Sequence, residues 1–142
     1  MRTAVDTNVL CALWSAEPIA GQMVELLAQA RSNGGVVICG AVYAELQAHP
    51  NVSGNFVDSF LQQTNIRVDF DVGEALWRAA AGCFASYAKR RRSSGGQEPK
   101  RLLVDFLVGA HAMISADRLL SLDRGRYATA FPDLLILPDL PA

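Results

Sequence analysis

The sequence predicts an α/β fold, a three-layer α/β/α sandwich around a central parallel sheet of about five strands. Three observations predict it. Short apolar runs of strand length alternate with longer stretches of helical periodicity, the pattern of a parallel sheet covered on both faces. Two of those runs end on an aspartate, Asp6 and Asp123, at the sheet edge where open α/β folds carry their chemistry. The 142 residues are 51% hydrophobic and 19% charged, enough to bury one core without disulfide or metal staples, so a single domain over 1–142 is expected.

Thr3-Ala4-Val5 is the first strand and runs directly into Asp6-Thr7-Asn8. Val9 to Trp14 then reads as a short apolar helix. Ser15 is placed to cap a second helix with Pro18 in its first turn, where Ile19, Met23, Leu26, Leu27 and Ala30 share a face. Asn33-Gly34-Gly35 stops that helix, and Val36 to Cys39, bounded by glycines, is the second strand. Gly40 opens a short helix over Ala41 to Gln47 that carries Glu45 and ends at His49-Pro50.

Phe56, Val57, Phe60 and Leu61 mark a fourth helix, followed by a third strand around Ile66 to Phe70. Asp71 and Glu74 read as a capping box for the next helix, whose stripe runs from Val72 to Tyr87. A basic, flexible loop is expected around 89–101. Leu102 to Met113 is apolar nearly all round, so that helix should be buried on most sides, with Asp105 as the charge inside it. Arg118 to Leu122 is the fourth strand and ends on Asp123; Arg124-Gly125-Arg126-Tyr127 is a turn or short helix, and Leu134 to Leu137 is the last strand.

Composition excludes several classes of function. No stretch reaches the roughly 18 apolar residues of a spanning helix, so a cytoplasmic protein without a membrane role is expected. Cys11, Cys39 and Cys83 have neither the even number nor the spacing of a disulfide framework or zinc site, and read as buried, reduced thiols. A net charge of -1 gives no overall attraction to nucleic acid, so polyanion binding must come from local patches.

The acids are the informative residues. Asp6 and Asp123 stand at strand ends, while Glu45 and Asp105 sit in apolar helical surroundings where an unpaired charge is costly. Two carboxylates about 4 Å apart repel by roughly 4 kcal/mol at an effective dielectric of about 20. A divalent cation reverses that sign, and an all-oxygen donor set suits Mg²⁺, with Mn²⁺ as a substitute, rather than zinc. Each acid also has a plainer reading: Asp6 as a helix cap, Glu45 as the partner of an arginine or a surface residue, and Asp123 as part of an ordinary turn. Asp105 is the hardest to explain that way.

Arg124 and Arg126, beside Asp123, are candidates for contacting a phosphate group. Lys89 to Arg92, with Lys100 and Arg101, read first as a solvated charge run and only second as a phosphate-binding patch. His49, His111 and Asp117 read as structural.

These residues resemble the PIN-domain family, and within it the ribonuclease toxins of the VapBC toxin-antitoxin type. The resemblance rests on Asp6-Thr7-Asn8 after the first strand, Glu45 before Leu46, the V-D-F-L-V-G-A-H-A run holding Asp105, and the A-D-R-L-L-S-L-D-R-G-R-Y run containing Asp123. It implies that Asp6, Glu45, Asp105 and Asp123 form an acidic quartet around Mg²⁺, with Thr7, Asn8 and Ser121 in support. It further implies a homodimer, an RNA substrate and a cognate VapB-type antitoxin. The rival expectations are a phosphotransfer or phosphatase domain on a similar open sheet, and a PIN-like binding module that has lost activity. The phosphatase reading wants a second Asp where Asn8 stands, and loss of activity usually shows as a missing acid.

Overall fold

The computed structural model describes residues 1–95 and 103–138. Five strands, β1 (Thr3–Val5), β2 (Val36–Cys39), β3 (Ile66–Asp69), β4 (Arg118–Leu120) and β5 (Ile136–Leu137), form one sheet in the order β3-β2-β1-β4-β5. Every pairing is parallel. Among the described residues seven helices accompany it: α1 (Thr7–Trp14), α2 (Ala20–Ser32), α3 (Gly40–Leu46), α4 (Gly54–Gln63), α5 (Gly73–Ser93), α6 (Leu103–Ser115) and α7 (Arg124–Ala128). This is the expected α/β architecture.

β1 and β2 are buried at every position, which is why they read as continuous apolar runs rather than as alternating ones. The chain lays down β1, β2 and β3 toward one edge, then crosses back to place β4 and β5 on the other side of β1. The strand order therefore reverses between β1 and β4, and the crevice beyond the carboxyl ends of such a pair is where α/β sheets bind ligands. Val5 pairs in register with Leu120, and the Asp6 amide donates to the Leu120 carbonyl at 2.9 Å. Asp6 and the residues after β4 thus leave the sheet side by side.

The core lies between sheet and helices, with Leu10, Met23, Ile38, Leu46, Leu76, Phe106, Leu119 and Tyr127 fully buried. α6 packs on α5 through aromatic rings, with Phe106 at 5.1 Å from Phe84 and 5.6 Å from Tyr87. The expected stop after α2 is present: Gly34 and Gly35 have φ of 123° and 100°, and the Gly35 amide donates to the Ala30 carbonyl.

Several local expectations need correction, and the last strand, read over Leu134 to Leu137, is only Ile136–Leu137. Ser15 does not cap α2; its amide donates to the Cys11 carbonyl and closes α1, while α2 starts at Ala20, two residues past Pro18. The Asp71 and Glu74 capping box does not form, because the N-cap is Val72 in helical conformation with no side-chain bond, and Glu74 pairs instead with Arg78 one turn on. The basic run is not loop from Lys89 onward. α5 continues to Ser93, since Lys and Arg are good helix formers and their charge is favourable at a helix C-terminus. The rest of that run, 96–101, and the Leu102 start of the following helix lie outside the described residues. Finally, β4 ends at Leu120, because the Leu122 amide turns away to the Asn8 side chain at 3.1 Å.

Candidate active site

Asp6 ends β1 and caps α1. Its backbone is extended, with φ -80° and ψ 154°, and Oδ1 accepts from the Thr7 amide at 2.8 Å. The other oxygen, Oδ2, accepts from Ser121 Oγ at 2.9 Å and from the Tyr127 hydroxyl at 2.7 Å. The residue is 3% exposed. A carboxylate so buried is tolerable only when hydrogen-bonded, and here three donors meet it.

Ser121 links the first acid to the last. While its hydroxyl donates to Asp6, it accepts from the Asp123 amide at 3.1 Å and from Asn8 Nδ2 at 3.4 Å. One proton and two lone pairs are thereby used in full. Asn8 is tied in twice, since its Oδ1 accepts from the Leu122 amide. Thr7 reaches the other way: its Oγ1 donates to Glu45 Oε1 at 2.6 Å, bringing α3 to the end of β1. Thr7 and Ser121 bond directly to residues of the acidic set, and Asn8 acts through Ser121 and the Leu122 amide.

Asp105 and Asp123 meet through a cation. Arg126 Nη1 lies 3.4 Å from Asp105 Oδ1, and Arg126 Nε lies 3.2 Å from Asp123 Oδ2. Asp123 also caps α7, accepting from the Arg126 amide at 3.1 Å. Side-chain exposure rises from 16% at Asp105 to 38% at Arg126 and 46% at Asp123, so the site opens to solvent on the Asp123 side. Burial pulls the Arg126 pKa down, but the charges of Asp105 and then Asp123 outweigh it and raise the pKa above the ordinary arginine value.

All four predicted acids are therefore joined in one hydrogen-bonded and ion-paired network at the carboxyl edge of the sheet. Glu45 connects through Thr7, Asp6 through Ser121, and Asp123 through Arg126 to Asp105. Among the described residues, no three His, Cys, Asp or Glu side chains stand together closely enough to hold a metal ion as placed. The reason is visible in the network: both Asp6 oxygens are turned onto protein donors, and the Arg126 guanidinium stands between Asp105 and Asp123. The donor chemistry nonetheless fits a hard divalent cation, being carboxylate oxygen throughout.

Tyr127 is the residue of this network that sequence reading missed. It is fully buried, and burial, followed by the charge of Asp6 and the hydrogen bond to it, pushes its phenol well above the ordinary tyrosine range. Its hydroxyl donates to Asp6, and the raised pKa favours that protonated form. The available signal was spacing, because Arg126 and Tyr127 lie three and four residues after Asp123 and so share its side of a short helix. Arg124, expected near phosphate, donates from Nη2 to the Ile136 carbonyl at 2.6 Å and anchors α7 to β5.

The residues read as structural take such places. His111 is buried with Nε2 2.9 Å from Asp69 Oδ2, and His49 bonds to Ser15 and packs on Trp14. Asp117 is at the opposite edge of the sheet, where its carboxylate accepts from the Arg2 amide. Burial raises the pKa of the free thiols Cys11 and Cys39, with the charge of Glu45 adding to it at Cys11; neither is poised as a nucleophile.

Comparison with known proteins bears on the family. No curated protein matches the chain by sequence. Among solved structures it is similar to VapBC2 from Rickettsia felis bound to a DNA fragment from its promoter, at 18% identity and a TM-score of 0.60 over 96% of this chain and 97% of that one. It is similar to VapBC-1 from nontypeable Haemophilus influenzae, at 17% identity and a TM-score of 0.62, and to FitAcB from Neisseria gonorrhoeae, at 21% and 0.62, each over 96% of both chains. At such identities the likeness concerns the fold. Residues 3–132 match the model of the PIN domain, a span that begins with β1, holds all four acids and runs past α7, and the chain belongs to the PIN domain family.

Proposed function

We propose that this protein is a Mg²⁺-dependent endoribonuclease, the toxin of a type II toxin-antitoxin pair, restrained by a VapB-type antitoxin. One observation carries the reading: Asp6, Glu45, Asp105 and Asp123 arrive from four separate parts of the chain at one sheet edge, joined in a single network. A structural role for any one of them needs no such convergence. Membership of the PIN domain family and the likeness in fold to VapBC and FitAcB chains support the nuclease and antitoxin parts of the proposal.

The four carboxylates would hold the ion, and Mn²⁺ would serve in place of Mg²⁺. Such an ion supplies Lewis-acid polarisation of the phosphodiester and a water acidic enough to attack it. The protein's own part is positional. Ser121 and Tyr127 fix the Asp6 carboxylate from the buried side, Thr7 holds Glu45 toward it, and the half-exposed Asp123 borders the side from which RNA enters. The basic end of α5, with Arg90 to Arg92 in its last turn, adds a local positive surface to a chain whose net charge is -1.

The test is cleavage of structured RNA by the purified chain, free of antitoxin, with Mg²⁺ and with chelator. Mg²⁺-dependent cutting that Asp105→Asn abolishes is expected. Cutting that survives chelation or that substitution contradicts the proposal.

A further inference from the structure

Arg126 occupies the place between two of the proposed metal ligands. Its guanidinium touches Asp105 through Nη1 and Asp123 through Nε, at 3.4 and 3.2 Å. Both distances exceed the roughly 2.7–2.9 Å of a tight charge-assisted bond, and the two nitrogens serve two different carboxylates instead of gripping one as a fork. The arginine therefore neutralises the pair without a tight charge-assisted bond in either of these two contacts. A small divalent cation approaches carboxylate oxygen to about 2.0–2.1 Å and carries twice the charge, so it can compete with the guanidinium for these oxygens. Arg126 is also 38% exposed, and its side chain has solvent to move into.

We infer that Arg126 is an exchangeable counter-ion of the acidic site: it neutralises Asp105 and Asp123 in the metal-free protein and yields them when a divalent cation binds. The inference rests on the proposed metal-dependent reading of the same site. It explains why four converging acids form no ready metal cage among the described residues. It also assigns Arg126 a role that its position beside Asp123 does not require, since the bond that caps α7 comes from its backbone amide and survives any substitution of the side chain. In this role Arg126 sets the metal affinity, making the divalent cation compete with a resident positive charge. Each partly exposed ion pair is of modest strength, so removing both should tighten metal binding about 3- to 30-fold.

Calorimetric titration of the metal-free protein with Mn²⁺ alone tests this, with thermal melts as a second readout. Arg126→Gln should bind Mn²⁺ about 3- to 30-fold more tightly than wild type, melt lower without metal, and gain more from saturating Mn²⁺. Arg126→Lys, which keeps the charge, should fall between the two and serves if the glutamine variant does not fold. Arg124→Gln removes the same charge from a side chain bonded to the Ile136 carbonyl, and should change the affinity less. Wild-type binding of Mn²⁺ with equal or weaker binding by both Arg126 variants overturns the exchange and leaves the metal-dependent reading standing. An equal gain in Arg124→Gln overturns it too, by reducing it to net charge. Failure of wild type to bind Mn²⁺ overturns both.

Discussion

Replacing Tyr127 with phenylalanine probes the least exposed part of the site. The ring stays, and the change removes one hydroxyl from a fully buried side chain, a hydroxyl that donates to Asp6 Oδ2 at 2.7 Å. Asp6 is 3% exposed, so water does not replace the lost donor, and Ser121 Oγ and the Thr7 amide remain as its partners. A hydrogen bond to a charged group is worth about 1.5–3 kcal/mol, and Tyr127→Phe should lose that much stability at pH 7. The pH dependence carries a second signature. Burial, then the charge of Asp6 and the bond to it, raise the phenol pKa in the folded chain, whereas the unfolded chain releases this proton near pH 10. Above about pH 10 the unfolded state therefore binds fewer protons than the folded state, and stability falls as pH rises. The contribution is fully present below that pH. The advantage of wild type over Tyr127→Phe should accordingly narrow by about 1.4 kcal/mol per pH unit above 10. Urea unfolding followed by circular dichroism from pH 7 to 11 measures both effects, with an unchanged m-value expected. A loss below about 0.5 kcal/mol at pH 7, or a gap that stays constant to pH 11, would refute the buried Tyr127–Asp6 bond.

Ser121→Ala removes the hydroxyl that joins Asp6 to Asp123, and RNA cleavage in Mg²⁺ should drop by about 10- to 100-fold, as for other groups that orient metal ligands. An unchanged rate would show that the two acids keep their places without it. Gly109→Ala should destabilise by about 1–3 kcal/mol in urea melts, because an added Cβ meets the ring of Phe131, itself nearly buried. A neutral result would mean that this ring moves freely.

What the sequence makes legible here follows from physical cost. Strands buried on both faces are written as short apolar runs, so Val36 to Cys39 is plain to read. Charges in such surroundings stand out because burial penalises them, and that brings Asp105 to notice in V-D-F-L-V. Strand order is not written locally, and the reversal between β1 and β4 that creates the crevice emerges only from the pairing. Helix ends misled for a related reason. Asp71 and Glu74 have capping-box spacing, yet Gly73 at φ 66° turns the chain so that α5 begins without a side-chain cap. Tyr127 was hidden because an apolar ring predicts burial and says nothing of where its hydroxyl points. Arg126 reads from sequence as a candidate phosphate contact, since no local pattern reveals that Asp105, 21 residues earlier, folds beside it.

The central claim is that four acids from four parts of the chain make one divalent-cation site for cutting RNA. Its most direct measurement is Mg²⁺-dependent RNA cleavage by Asp6→Asn, Glu45→Gln, Asp105→Asn and Asp123→Asn beside wild type, each confirmed as folded by its melt. Wild type should cut, and every one of the four variants should be severely impaired. A folded variant among them that cuts at the wild-type rate would remove its acid from the site and contradict the account.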